Sequence, residues 1–387
     1  GDGAYCAIAD GRTSYYVSVQ NGQSFRLVLN DTGNLSDWTR IDPVGGSGYL
    51  FINPFVLDPN NTDMMYVAGG DRIWRNSDLT AIPLFSNDAT DVNWTELTNS
   101  VVSGATITTL EVSKTPANRL YYGTDNGMAF RLDGANAGNP VPVDIWSGKG
   151  FPAGAYASSI ALDPADADRV LLALSNYRVQ SLFFTPDGGA SWSHVGGNLE
   201  EFPDGSGDGP SIRWAEIASV SGSPIYFVAT SIGVFSTSNL DGDATQWVLE
   251  GASEIGNVIV DMIDTRSSDK LVVAATHGGG VFSANFTSTS VALNKDIAIP
   301  NEYQLSQNFP NPFNPSTTIL FNLPKSGGAR LKIYDALGVE VATLVDEDLS
   351  AGSYSAEWNA NGFASGVYYY RFESGVYSET KKLILMK

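Results

Sequence analysis

Tryptophan recurs at positions 38, 94, 146, 192 and 247, at intervals of 46 to 56 residues. A period of that size points to a repeated supersecondary unit, and it has to be settled before any other fold assignment. Six units can be laid under one another. Each carries an apolar strand, a turn near Asp-Pro or Asn, a β-branched and aromatic strand, a Gly turn and a third strand. Most add a strand that bears the tryptophan. The phrases Val56-Leu57-Asp58-Pro59 and Ile160-Ala161-Leu162-Asp163-Pro164 occupy the same place in the second and fourth units. Tyr15 to Val19, Met65 to Ala68, Leu120 to Thr124, Val170 to Leu174, Ile225 to Thr230 and Leu271 to Thr276 are the strand runs of the six. A single small sheet would expose one apolar face, so neighbouring units must stack, and radial closure protects their edges. The sixth unit has no tryptophan strand. With the abrupt start at Gly1-Asp2-Gly3, this leads us to expect one ring of seven or eight units that lacks its first part. An open face of that kind calls for a further segment to cover it.

The sharpest local signal is Thr185-Pro186-Asp187-Gly188-Gly189-Ala190-Ser191-Trp192. Asp187 can fold its carboxylate back onto backbone N–H groups. Gly188 and Gly189 supply the positive-φ positions of a tight hairpin, and Trp192 then turns in between layers. This frame resembles the Asp-box, or BNR, repeat of β-propellers such as sialidases, sortilin-type receptors and xyloglucanases. The resemblance extends over residues 1–286 and implies a structural role for Thr185, Asp187, Gly189, Ser191 and Trp192 on an outer turn. Thr276-His277-Gly278-Gly279-Gly280-Val281-Phe282 and Tyr122-Gly123-Thr124-Asp125-Asn126-Gly127 match its strand and turn phrases.

Composition narrows the function. The formal charge is −20, with 22 Lys and Arg against 42 Asp and Glu. No basic patch is available to neutralise phosphates, so nucleic acid is excluded as a partner, and docking on anionic lipid is disfavoured. No run approaches the 18 or more apolar residues of a membrane-spanning helix. Cys6 is the only cysteine, so no internal disulfide can form, and it reads as a small buried strand residue.

Residues 287–300 change character, with Thr287-Ser288-Thr289-Ser290 and Asn294-Lys295-Asp296. Such small polar residues cannot pack a core, which marks a linker between two domains. The segment 301–387 opens on Gln307-Asn308-Phe309-Pro310-Asn311-Pro312-Phe313-Asn314-Pro315. Its prolines fix an extended entry strand. Alternation in Leu331 to Tyr334 and Val367 to Phe372 suits a half-buried antiparallel sheet. A seven- or eight-stranded immunoglobulin-like β-sandwich accommodates the whole segment. It is similar, nearly end to end, to the type A C-terminal sorting domain of the type IX secretion system. That resemblance rests on Gly366 and on Lys381-Lys382-Leu383-Ile384-Leu385 with Lys387, together with the Pro-rich opening. It implies export across the outer membrane of a Bacteroidota-type bacterium. It also implies recognition of the final strand by the translocon's shuttle protein. In many family members, cleavage before the domain and attachment to surface lipopolysaccharide follow.

Catalytic signatures are thin. The first 295 residues hold 11 Arg and 32 Asp and Glu. A sialidase needs an arginine cluster, and a glycosidase pair needs a set carboxylate separation that spacing alone does not define. His194 and His277 are too few for a histidine metal site or a Ser-His-Asp triad. Asp241-Gly242-Asp243 and Asp204-Gly205-Ser206-Gly207-Asp208 resemble pieces of Ca²⁺ loops but do not fit the twelve-residue frame. The expectation is therefore solvated turns, no catalytic residue, no metal ligand, and no cofactor beyond weak Ca²⁺. Tyr49, Phe51, Phe151 and Tyr156 are candidates for sugar stacking on a propeller face. The leading reading is a secreted or cell-surface binding or structural module with a glycan or protein ligand. The alternatives are a glycan-active hydrolase of xyloglucanase or sialidase type and a subunit of an extracellular assembly.

Overall fold

The computed structural model describes residues 3–12, 14–220, 222–252, 254–286, 302–308, 311–349 and 352–386. The 287–300 linker lies outside the described residues. The chain divides into two compact units, Gly1–Ser290 and Val291–Lys387. Among the described residues the regular structure is strand and short 3₁₀ turn, with no α-helix.

The first unit is a succession of six antiparallel sheets. The first sheet comprises β1 (Gly3–Ile8), β2 (Tyr15–Val19), β3 (Ser24–Leu29) and β4 (Leu35–Arg40), and the second β5 (Phe55–Asp58), β6 (Asn61–Gly69), β7 (Arg72–Asn76) and β8 (Trp94–Leu97). The third holds β9 (Ile107–Val112), β10 (Arg119–Thr124), β11 (Ala129–Asp133) and β12 (Val143–Asp144). In the fourth are β13 (Ala157–Asp163), β14 (Asp166–Leu174), β15 (Leu182–Thr185) and β16 (Ser193–His194). The fifth contains β17 (Ile212–Val220), β18 (Ser223–Thr230), β19 (Gly233–Thr237) and β20 (Val248–Glu250). The sixth has three strands, β21 (Val260–Arg266), β22 (Leu271–Thr276) and β23 (Gly280–Asn285). Strands follow one another in sequence order across every sheet.

Turn chemistry explains why the strands reverse where they do. In the two Leu-Asp-Pro phrases the aspartate accepts a bond from the backbone two residues on, Asn60 N to Asp58 at 2.8 Å and Ala165 N to Asp163 at 2.9 Å. Such Asx turns mimic a backbone turn. Side chains then alternate between faces. Tyr122 enters the layer between the second and third sheets, and its neighbour Tyr121 enters the layer between the third and fourth. Leu171 and Leu172 divide in the same way. Sheets packed on both faces need continuous apolar runs, which is why Val170 to Leu174 is apolar throughout and fully buried.

Five apolar layers join successive sheets. Three of them share a staple. Trp94 Nε1 donates to the Ile41 carbonyl at 2.7 Å, Trp192 to Ile145 at 2.8 Å and Trp247 to Val195 at 2.9 Å. Each bond runs from the tryptophan of one sheet back to the outer end of the sheet before it. The period read from the sequence is therefore an interface repeat.

Cys6 departs from its expected burial: it is exposed. It stands on the face of the first sheet that turns away from the second, and among the described residues no sheet stacks there.

The second unit has two sheets. One is built from β24 (Gln304–Leu305), β25 (Ser316–Leu323) and β28 (Gly352–Asn359). The other runs in the order β27 (Glu340–Leu349), β26 (Gly327–Tyr334), β29 (Gly366–Ser374), β30 (Tyr377–Leu385). Ile319, Phe321, Leu331, Ile333, Trp358, Tyr370, Phe372, Leu383 and Leu385 form one core with Phe313. Full burial of each such side chain is worth about 1.5–3 kcal/mol. Within the Pro-rich opening, residues 311–315 form no strand of their own, because proline offers no N–H to a ladder. Only Phe313 bridges to Leu385.

Candidate functional site

The last strand is placed by pairing on one side and by the Pro-rich opening on the other. β30 pairs with β29 over its whole length, from Gly366 opposite Leu385 to Ser374 opposite Tyr377. It is the end strand of its sheet. Leu383 and Leu385 point into the core, and Lys382 stays exposed. Lys381 lies 3.5 Å from Glu379. On the outer edge, Phe313 N donates to the Ile384 carbonyl and Met386 N to the Phe313 carbonyl, both at 3.0 Å. Ile384 N donates to Asn311 Oδ1 at 2.9 Å, and Gln307 Nε2 to the Lys382 carbonyl at 2.7 Å. Tyr370 pins the opening from beneath: its hydroxyl donates to the Ser306 carbonyl at 2.6 Å and accepts from Asn308 N at 2.9 Å. Lys381, Lys382, Leu383, Ile384 and Leu385 thus lie on the edge strand, and Gly366 faces Leu385 from β29. Lys387 lies outside the described residues.

The turn at Asp187 is built into the interface of the third and fourth sheets. Asp187 accepts from Ser191 N at 2.8 Å, Ser191 Oγ at 2.6 Å and Thr185 Oγ1 at 2.7 Å. These bonds, the Ser191 hydroxyl first, lower its carboxyl pKa to about 2. Thr185 Oγ1 also accepts from Gly189 N at 3.0 Å. Gly189 has φ 92°, and a Cβ there would sit 2.5 Å from Ile145. No other residue fits both demands. Arg131 of the third sheet donates to the Gly188 carbonyl at 2.7 Å. Within the turn the bonds are local, and Arg131 and Trp192 tie it to the third sheet.

A second acidic centre was not legible in the sequence. The first strands of successive sheets pack against one another and gather around a common middle, where Tyr5 of β1 meets Trp214 of β17 with ring centroids 6.2 Å apart. Glu111 of β9, Glu216 of β17 and Asp264 of β21 share this region and influence one another's charge. Burial, reinforced by Asp264, raises the Glu111 pKa to about 8. Burial, with Glu111 and Asp264, pushes Glu216 well above the ordinary carboxylate range, although Thr265 Oγ1 donates to it at 3.0 Å. Asp264 is raised too, chiefly by burial. These groups are surrounded by protein yet not sealed: Glu111 and Glu216 are partly exposed and Asp264 is exposed. Trp214 Nε1 is buried without a hydrogen-bond partner. The carboxylates sit 48 or more residues apart in the chain, so only the stacking of sheets brings them together.

The remaining candidates are scattered. His194 is clamped between Asp243 (Nδ1, 2.6 Å) and Glu200 (Nε2, 2.9 Å), which ties the fourth sheet to the fifth. Burial opposes its charge, but the hydrogen bonds to Glu200 and Asp243 outweigh it and raise the pKa. His277 Nδ1 lies 3.3 Å from Asp261, which also pairs with Arg213. Asp204 caps its own turn by accepting from Ser206 N and Oγ. Among the described residues no three His, Cys, Asp or Glu side chains are grouped to hold a metal ion. Phe151 packs on Phe183 and Trp192, and the Tyr49 hydroxyl is buried without a partner. Phe51 is 59% exposed and Tyr156 is 36% exposed.

Residues 307–386 match the Secretion system C-terminal sorting domain. The tail is a type IX sorting domain. The protein is therefore secreted or held at the outer cell surface, and none of its described helices is long and apolar enough to cross a membrane. No curated protein matches the chain. Solved structures with a similar backbone are distant. One is the extracellular domain of a putative hybrid two component system from B. thetaiotaomicron, at 10% identity and TM-score 0.46; the match takes in all of this chain and 57% of that one. Another is the COPII outer coat vertex on membranes, at 15% identity and TM-score 0.47, with 73% of this chain and 68% of that one covered. A third is the dihydro-heme d1 dehydrogenase NirN, at 11% identity and TM-score 0.45, covering 93% of this chain and 68% of that one. Likenesses at this level carry no argument about function.

Proposed function

We propose that this is a type IX-exported surface protein in which a β-propeller of Asp-box type serves as a binding module and the two-sheet tail, an immunoglobulin-like sandwich, is the export address. The observation that carries the reading is the sorting-domain match ending on a strand at a sheet edge. A translocon shuttle protein would read that strand through Leu383, Ile384 and Leu385, with Lys381, Lys382 and Lys387 as its charged flank. Attachment of the processed protein to surface lipopolysaccharide is the anchoring route consistent with this tail. The test is export from the native host of a form lacking residues 383–387. Retention inside the cell supports the reading, whereas undiminished surface display refutes it.

A second reading has its own support. Burial raises the carboxyl groups of Glu111, Glu216 and Asp264, which act on one another's charge around the middle where Tyr5 meets Trp214. That is the equipment of glycoside cleavage, an acid beside a carboxylate with an aromatic wall. Release of reducing ends from polysaccharide by the native protein, abolished by Glu216→Gln, supports the hydrolase. Binding of the same polysaccharide without cleavage supports the module.

A further inference from the structure

In the folded tail the final strand presents little of itself. Leu383 and Leu385 are buried in the core, and Ile384 is half-buried. The outward main-chain groups are taken as well. The Lys382 carbonyl accepts from Gln307 and Asn311, Ile384 N donates to Asn311, and Phe313 engages both the Ile384 carbonyl and Met386 N. The opposite end strand of the same sheet, β27, is protected differently. It carries Asp346, Glu347 and Asp348, all exposed, and charges on an edge discourage pairing. Residues 383–386 carry no charge, so that stretch of β30 relies on its cover.

The cover is held by side chains and not by a ladder. Phe313 is buried, with its ring centroid 5.4 Å from that of Trp358. Asn308 is buried too, and its Nδ2 donates to Thr317 Oγ1 at 2.9 Å. Towards β30, among the described residues, Phe313 alone makes main-chain bonds, while Gln307 and Asn311 use their amides. Pro312 and Pro315 have no N–H to give. A proline-free extended segment on the same edge would form the regular ladder that this cover cannot.

We infer that the Pro-rich opening is a displaceable cover. The export partner lifts it and pairs an extended, proline-free segment of its own with the freed edge of β30, setting a large apolar side chain where Phe313 was. The inference rests on the tail being the export address and deepens that reading. Strand addition of this kind draws affinity from main-chain bonds and specificity from the alternate side chains.

Locking the cover tests it. Phe313 and Leu385 are bridged in parallel, so the next pair in register is Asn314 and Met386, both exposed. Asn314→Cys with Met386→Cys, in a Cys6→Ser chain, places a disulfide across them. In the native host the oxidised full-length chain should lose surface display and collect behind the outer membrane. Each single substitution should be displayed normally, and a membrane-permeant thiol reductant should release the retained chain, which a misfolded tail would not permit. The opposite variant, Gln307→Ala with Asn311→Ala, strips the amide bonds from β30. It should speed hydrogen exchange at the Ile384 amide about tenfold and leave display undiminished. Full display of the oxidised chain overturns the inference, as does retention that reduction fails to relieve. Loss of display in the loosened variant also overturns it, because the closed cover would then be part of what is read. Where removal of residues 383–387 blocks export but the locked chain is displayed, the cover fails and the address stands. Display of the truncated chain refutes the address, and this inference with it.

Discussion

If the tryptophan staples hold neighbouring sheets together, replacing the most buried one must cost more than replacing the half-buried Trp38, whose indole donates to no acceptor among the described residues. Trp247 is 3% exposed, and its indole reaches the carbonyl of Val195, itself 1% exposed. Trp247→Phe removes the donor and leaves that carbonyl buried and unbonded, at a cost of about 1–3 kcal/mol. The smaller ring adds roughly 1 kcal/mol for the space left behind. The backbone of residue 247 keeps its two bonds to Asn198, so the loss is confined to the side chain. The sum is about 2–4 kcal/mol, which in a unit of this size lowers the midpoint by roughly 4–8 °C. Calorimetry of the 387-residue chain should show it in the first unit's transition alone. Trp38→Phe in the same chain should stay within about 0.5 kcal/mol of wild type. If the two substitutions cost the same, or Trp247→Phe costs less than about 1 kcal/mol, the indole bonds are not what joins the sheets.

Three further outcomes are expected. Glu111 has a folded-state pKa of about 8, raised above its ordinary value of 4.5. The folded protein therefore holds more protons than the unfolded chain between those values, and stability falls as pH rises from 4.5 through 8; Glu111→Gln should flatten that decline in chemical denaturation series, and an unchanged slope counts against a protonated carboxyl. His194 is raised above 6.5 by its two carboxylate partners, so its contribution is complete below that value and is lost as pH rises through the folded-state pKa. The destabilisation by His194→Gln should accordingly be larger at pH 6 than at pH 9, and a pH-independent difference would show a packing role only. Tyr370→Phe strips the hydroxyl that serves Ser306 and Asn308, costing about 2–4 kcal/mol in the two-sheet unit's transition and leaving the first unit's midpoint unmoved.

Several elements could be read without the fold because their causes are local. The Leu-Asp-Pro turns depend on an aspartate bonding two residues ahead. The Asp187 hairpin depends on two residues at positive φ, Gly188 and Gly189. Alternation in β26 and β29 gives the burial of Leu331, Ile333, Tyr370 and Phe372. The tail was legible for a further reason: its motif residues fall in short contiguous runs, and pairing of β29 with β30 follows from a hairpin. Where an expectation slipped, a non-local term had intervened. Cys6 has the composition of a buried strand position but stands on a face that nothing described covers, and the Pro-rich opening lies along β30 through single bonds instead of a strand.

The sequence by itself determined that this chain repeats a small sheet, joins a proline-led tail to it, and carries a strong acidic excess. Period, turn chemistry and charge are properties of residues near in sequence, so they survive without three-dimensional information. Only the tertiary structure decided that tryptophans reach back to the preceding sheet, that His194 is shared between Glu200 and Asp243, and that Glu111, Glu216 and Asp264 meet in the middle. Carboxylates on separate sheets acquire a common electrostatic environment only when stacking brings the first strands together and burial makes their charges costly. That cost depends on what surrounds a side chain, which neither its identity nor its neighbours in sequence reveal.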